Sequence, residues 1–389
     1  MKKICVITGT RAEFGLLSPL MKELMQDEAF ELQTVVTGMH LSPEFGLTWK
    51  QIKNSGFAIT RKVEMLLSSD TPVGVSKSMA LGLSGFCDVF HDLEPDIVVL
   101  LGDRYESFVA AAAAQVARIP IAHLHGGETT EGAIDEAFRH SITKMSHLHF
   151  TSTEAYKSRV IQLGEHPDRV FNVGAIGVDN IIKTKLLSQT ELETAIEFKF
   201  GQRNLLITMH PVTLEDNTSE HHLNELLTAL DRLKNTKLIF TKANADTNGR
   251  IINQILDHYV AKNKDNSILF TSMGQLNYLS ALQFVDAMVG NSSSGILEAP
   301  TFKIGTINIG DRQKGRVKAE SVIDCLPESN SIQNAFANLF SAQFQDTLSE
   351  VTNPYHTPNT AFKIKEILKN YSYKNILSKS FYNLNFTHQ

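Results

Sequence analysis

The stretch Asp286-Ala287-Met288-Val289-Gly290-Asn291-Ser292-Ser293-Ser294-Gly295-Ile296-Leu297-Glu298 decides how this chain reads. The run from Asp286 to Val289 is apolar after its first residue and fits a buried parallel strand. Ile296 to Ala299 is expected to be the first turn of a helix. A strand that feeds a Gly/Ser turn into a helix start leaves several main-chain N–H groups without partners. Those groups, the three hydroxyls and the helix dipole suit a phosphate or a diphosphate. The serines also fit plain N-capping and turn chemistry. Glu298 tips the balance. A carboxylate one turn into the helix does not hold the same phosphate, but it accepts hydrogen bonds from a ribose diol. Phosphate site plus diol acceptor is the pattern of a nucleotide pocket.

Outward from this stretch the same unit recurs. Ile4 to Thr8 is a β-rich run that ends in Gly9-Thr10-Arg11-Ala12-Glu13, and a helical period follows through Leu17, Leu20, Met21 and Leu24. Further strands are expected at Leu32–Thr37, around Ala58–Val63, and at Ile97–Leu101, Ile119–His125, Leu148–Thr151 and Val170–Val173. Helices are expected at Ser76–Leu93, Tyr105–Ala117 and Asp135–Lys144. Leu67 to Gly74 is polar and reads as a loop, either facing a site or mobile. Gly174 to about Gln202 carries a charged helix and reads as a crossover. Strands then resume at Leu205–Met209, Lys237–Thr241, Ser267–Phe270, Asp286–Val289 and Thr306–Ile309, with a helix at Leu276–Leu282. Strand and helix alternate in both halves, so the chain is expected to be α/β with two Rossmann-like domains. The boundaries expected are 1–178, 179–360 and a C-terminal segment 361–389.

Composition narrows the class. At 389 residues two domains are the ordinary expectation. A net charge of -5 leaves no basic footprint for nucleic acid. Cys5, Cys87 and Cys325 are too scattered for a disulfide frame or a zinc site and fit a reduced, cytoplasmic protein. No apolar run approaches the roughly 18 residues of a membrane span, and the N-terminus lacks a signal-peptide core.

Chemistry-bearing residues cluster where strands end. Arg11, His40, Asp103, Glu128, His210, Asn244, Ser292 and Arg312 all fall just past expected strand C-termini. In doubly wound sheets that edge forms the ligand crevice, and two such edges facing one another would make one cleft. Arg11 reads either as part of a generic first βα turn or as a phosphate contact. Asp103, Glu128 and Asp135 read as carboxylates whose pKa values burial and repulsion drive apart for proton transfer at a sugar ring. The plain alternatives are a strand-end cap for Asp103, a loop carboxylate for Glu128 and an exposed i,i+4 pair with Arg139 for Asp135. The pairs His123/His125 and His147/His149 share strand faces, but no complete ligand set accompanies them, so neither metal nor cofactor is expected.

Gly9-Thr10-Arg11-Ala12-Glu13, Gly102-Asp103-Arg104, His125-Gly126-Gly127-Glu128, Glu131-Gly132-Ala133-Ile134-Asp135 and Gly290-Asn291-Ser292-Ser293 together resemble the UDP-N-acetylglucosamine 2-epimerases. The resemblance covers roughly residues 3 to 365 and is nearest the hydrolysing branch. It implies a GT-B fold, with the last helices crossing back to the first domain. It implies catalytic positions at Asp103, Glu128, Asp135, His40 and His210. Substrate-binding positions would be Arg11, Arg104, Asn244, Asp246, Ser292, Ser293, Glu298 and Arg312. The implied reaction takes UDP-N-acetylglucosamine, or its 2,4-diacetamido-2,4,6-trideoxy analogue, and water to UDP and the free manno sugar. Such sugars feed sialic-acid-type or legionaminic-acid biosynthesis. A homodimer or homotetramer is expected from the family. A non-hydrolysing epimerase and a GT-B glycosyltransferase are the rival enzymes, and a sugar-nucleotide-binding regulator is the rival outside catalysis.

Overall fold

The computed structural model describes residues 1–67, 69, 71–131, 134–211, 218–243 and 249–384. Within them the chain divides by contact into two units. One takes the described residues of Met1–Glu128, Asp135–Asn180 and Tyr355–Gln389, and the other those of Thr129–Ile134 and Ile181–Pro354. The main changeovers fall at Asn180/Ile181 and Pro354/Tyr355, against the 178/179 and 360/361 boundaries expected from sequence.

In the first unit the described strands are β1 (Lys2–Thr8), β2 (Phe30–Thr37), β3 (Arg61–Val63), β4 (Ile97–Leu101), β5 (Ile121–Leu124), β6 (Leu148–Thr151) and β7 (Val170–Asn172). They lie side by side in the order β3-β2-β1-β4-β5-β6-β7, every pair parallel. The period-two geometry of β1 sends its side chains to opposite faces. Ile4 and Val6 join one apolar cluster with Leu17, Leu20 and Leu24 of the helix Arg11–Met25 and with Ile364 and Leu368 of the helix Thr360–Asn370. Cys5 and Ile7 join another with Phe86 and Phe90 of the helix Pro72–Leu93 and the alanines of the helix Tyr105–Val116. Both faces are therefore covered, which is why these strands read as continuous apolar runs.

The second unit repeats the plan. Its strands are β8 (Arg203–Thr208), β9 (Thr236–Thr241), β10 (Ser267–Phe270), β11 (Ala287–Gly290), β12 (Gly305–Ile309) and β13 (Val322–Cys325), in the order β10-β9-β8-β11-β12-β13, all parallel. Leu205 and Ile207 face one apolar cluster, and Leu206 and Met288 face the other. In each sheet the strand order reverses direction beside the first strand, between β1 and β4 and between β8 and β11. Those are the topological switch points, where such sheets bind ligands.

Four local expectations change. The crossover carries two helices, Ile176–Lys183 and Gln189–Ile196, the second opened by a Ser188/Glu191 capping box. The segment expected to be a loop as far as Gly74 is already helical from Pro72, because Thr71 caps Gly74 N–H at 3.1 Å and proline suits the first helical position. β13 had no sequence signal: it is a short edge strand with the polar Asp324 inside it. The helix after the serine turn is a single turn, Ser294–Leu297, followed by a 3-10 turn Ala299–Phe302. Pro300 lacks the N–H that a continuing helix needs.

Candidate functional site

In the first unit the switch point lies between the ends of β1 and β4. Thr10 and Glu13 form a reciprocal cap on the helix that β1 feeds: Thr10 Oγ1 accepts from Glu13 N–H at 3.2 Å, and Glu13 Oε2 accepts from Gly9 N–H at 2.7 Å and Thr10 N–H at 3.1 Å. Glu13 is buried close to Glu106, and burial followed by that like charge raises its carboxyl to about 7. Arg11 opens the same helix, half-buried, and burial lowers its pKa. Arg104, at the end of β4, reaches the buried Glu106 through Nε at 3.2 Å and Nη2 at 3.3 Å.

Two of the carboxylates, Asp103 and Glu128, join one network. Asp103 forms an ion pair with Arg139, whose Nη1 also donates to His125 O at 2.9 Å. His125 Nδ1 pairs with Glu128 Oε1 at 2.9 Å, and Ser152 Oγ donates to the same oxygen at 2.7 Å. Arg139 stands one turn along the helix that Asp135 begins, Asp135–Met145. Asp103 and Asp135 are half-buried, while Glu128 and Arg139 are buried. From sequence Arg139 reads only as the i,i+4 partner of an exposed Asp135. It is a buried cation that reaches Asp103, the strand-end carboxylate. A guanidinium with several fixed donors holds carboxylate and carbonyl groups in set directions. Its i,i+4 spacing gave no sign of this, because the contact spans from residue 139 to residue 103.

His40, expected at a catalytic position, lies just past β2. It is fully buried, with Nε2 at 3.0 Å from Thr8 Oγ1 and Nδ1 at 2.7 Å from Thr48 Oγ1. Burial pushes its pKa down to about 4, so the ring is neutral near pH 7. A neutral imidazole enclosed between two hydroxyls braces the β1 and β2 ends; it does not present a nitrogen to a ligand. Of the two His-x-His pairs, His123 spends Nε2 on Gly102 O at 2.7 Å and Nδ1 on Thr143 Oγ1 at 3.2 Å, while His149 Nε2 meets Glu165 at 3.1 Å. Among the described residues no cluster of three or more His, Cys, Asp or Glu side chains is arranged to hold a metal ion.

In the second unit the switch point brings His210 and the serine turn together. β8 runs into Met209 and His210, and β11 into Asn291. The Asn291 side chain accepts from His210 N–H at 2.7 Å and donates to His210 O at 2.8 Å. The Asn291 carbonyl accepts from Arg312 Nη1 at 3.1 Å and Gln313 Nε2 at 2.8 Å. Ser292 and Ser293 are half-buried at the turn. The third serine has another role. Tyr278 O–H donates to Ser294 Oγ at 2.6 Å, and Ser294 Oγ donates in turn to Glu298. Ser294 therefore orients Glu298, whose pKa burial raises. With one helical turn behind it, the serine site also has less helix dipole than its sequence implied. His210, Ser292, Ser293, Glu298 and Arg312 thus surround one strand-end region. Asn244 and Asp246 lie outside the described residues.

A family model described as UDP-N-acetylglucosamine 2-epimerase matches residues 22–369. The chain is 48% identical over 384 residues to a GDP/UDP-N,N'-diacetylbacillosamine 2-epimerase (hydrolyzing) of Campylobacter jejuni, covering 98% of this chain and 99% of that one. It is 36% identical over 324 residues to a UDP-N,N'-diacetylbacillosamine 2-epimerase (hydrolyzing) of Legionella pneumophila, covering 83% and 85%. The crystal structure of a UDP-GlcNAc 2-epimerase from Neisseria meningitidis, bound to UDP-GlcNAc, superposes with a TM-score of 0.80 at 20% identity, over 95% of this chain and 99% of that one. The fold is the two-domain α/β type, GT-B in class, that these structures share.

Proposed function

We infer the reaction from a plain premise: the chain belongs to the UDP-N-acetylglucosamine 2-epimerase family. Within it, we propose the hydrolysing reaction on a UDP-linked 2-acetamido sugar, with release of UDP and of the free sugar inverted at C2. The observation that carries this reading is the 48% identity, over 98% of the chain, to a relative named as hydrolyzing. The same relative favours a 2,4-diacetamido-2,4,6-trideoxyglucose as the sugar, with N-acetylglucosamine second. A cytoplasmic enzyme, assembled as a homodimer or homotetramer and supplying sialic- or legionaminic-type synthesis, completes the proposal.

The chemistry follows from the sugar. C2–H has no carbonyl neighbour, so its direct deprotonation is very costly. Early cleavage of the C1–O bond to UDP builds positive charge at C1 and makes C2–H acidic. One carboxylate among Asp103, Glu128 and Asp135 takes the C2 proton, C1=C2 forms, and the bonding pair of C1–O leaves with UDP. His210, Arg312, Ser292 and Ser293 meet the charge developing on the diphosphate, and Arg11 and Arg104 are further cations for it. Glu298, oriented by Ser294, accepts from the ribose diol. Water then adds its hydroxyl to C1, and C2 takes a proton on the opposite face. His40 serves as a positioning residue in this scheme, because both its ring nitrogens are engaged.

Proton NMR of the purified protein with each UDP-sugar, without added metal, tests the proposal. Free UDP and a manno-configured free sugar are expected. An intact pair of epimeric UDP-sugars would instead point to the non-hydrolysing reaction, and no turnover of either substrate would refute the enzyme reading.

A further inference from the structure

We propose that Asn291 is a positioning residue that locks His210, the serine turn and Arg312 into one preset cradle for the nucleoside diphosphate. The inference rests on the function proposed above.

Asn291 is fully buried, so each of its polar atoms must find a partner inside the protein. It does so in an ordered way. Its main-chain N–H donates to Thr208 O at 3.1 Å, one step beyond the pairing of Gly290 with Thr208. Its side-chain amide then exchanges two hydrogen bonds with the main chain of His210, at 2.7 and 2.8 Å. A side chain thus mimics the next rung of the β8/β11 ladder past the point where the main chains part. The ladder pairing ends at Gly290 and Thr208, and the rung keeps His210 in register with Ser292 and Ser293. The Asn291 carbonyl adds a second tie, taking Arg312 Nη1 at 3.1 Å and the fully buried Gln313 at 2.8 Å.

Every diphosphate candidate of the switch point except the hydroxyls themselves is therefore bonded to Asn291. A cradle fixed before the ligand arrives spends little binding energy on ordering and meets the leaving group's charge without rearrangement. Aspartate lacks the donor for His210 O and brings a buried negative charge, and alanine lacks both side-chain bonds to His210, although the main-chain tie to Arg312 and Gln313 is kept in either.

The test compares wild type, Asn291→Ala, Asn291→Asp and Gln313→Leu at a temperature where circular dichroism shows each to be folded. UDP binding is read by calorimetry and kcat and KM by UDP release. Wild type is expected to bind UDP. Asn291→Ala and Asn291→Asp are expected to bind it at least tenfold more weakly and to lose kcat as well, because the leaving diphosphate is held less well. Gln313→Leu is expected to weaken UDP binding about threefold or more. Adding Arg312→Ala to Asn291→Ala is expected to cost less than Arg312→Ala alone, since residues acting as a unit are non-additive. A merely structural Asn291 would lower the melting temperature and leave UDP affinity of the folded protein unchanged. Folded variants that bind UDP within twofold of wild type overturn the proposal. If the Asn291 variants do not fold, Gln313→Leu alone decides by the same criterion. A wild type that binds no UDP removes the functional reading itself and this inference with it.

Discussion

Asp103 shows what a single side chain does at two levels. Its half-buried carboxylate ends β4, and the ion pair to Arg139 fixes its direction. Asparagine keeps the shape and an acceptor oxygen but loses the charge and the basicity. Asp103→Asn is expected to lower kcat by about 10²- to 10⁴-fold, the usual range for a lost acid–base group. UDP affinity should stay within about twofold. Paired turnover and calorimetry read this directly, and near-normal turnover would remove Asp103 from the chemistry. At this scale the placement of polar residues past strand ends was legible wherever one followed an apolar run, as at Asp103, Glu128, His210 and Arg312. Arg139 and Asn291 were illegible in their roles. One sits in mid-helix and the other begins a serine run, and only their partners at Asp103 and His210 reveal them. His40 shows the same limit: its place after β2 was legible, and only the fold shows that the Thr8 and Thr48 hydroxyls enclose its ring.

Among elements, the strand-to-turn junction at Gly290 is the tightest. Its φ is 129°, and an added Cβ would stand 2.0 Å from Thr208 O, a main-chain atom fixed in β8. Neither atom can step aside without breaking the ladder. Gly290→Ala is expected to cost about 2–4 kcal/mol from strain and clash together. That corresponds to a melting temperature lower by roughly 5–15 °C, and UDP binding should weaken as the turn moves. A melting curve that overlays wild type would contradict the geometry. The buried strands were legible because helices on both faces force continuous apolar runs. β13 was not, because an edge strand of four residues carries too short a pattern to register. The extent of the helix behind the serine turn was misread: its apolar start was visible, but Pro300 ended it after one turn.

The whole molecule carries a pH dependence that no one element owns. Burial lowers His40 to about 4, His123 to about 3 and His147 to about 4, and it lowers His149 as well. The unfolded chain takes up these protons near pH 6.5, whereas in the folded chain His40 and His147 stay neutral until about pH 4, His123 until about 3, and His149 until below its ordinary range. Between those values the unfolded state binds more protons, so stability falls as pH falls, by up to about 1.4 kcal/mol per pH unit for each group. Glu13 opposes this trend. Its carboxyl is raised to about 7, so the folded state alone keeps that proton between pH 4.5 and 7. Glu298, also raised by burial, opposes the trend in the same direction, but the four lowered histidines outweigh the two glutamates, and the melting temperature is expected to drop from pH 6.5 to 4.5. A flat or rising profile by calorimetry would contradict the burial that causes it. The amino-acid sequence by itself determined the alternation of strand and helix, the two-domain α/β class and the strand-end siting of the polar groups, because apolar periodicity and turn residues are local properties. Only the tertiary structure decided which of those groups meet. It put Arg139 on Asp103, closed His40 between two threonines, brought Tyr278 to Ser294 and made Asn291 the tie at the second switch point. Each of these joins groups carried by different elements or turns, and their meeting is set by strand order and packing, which no local window of sequence contains.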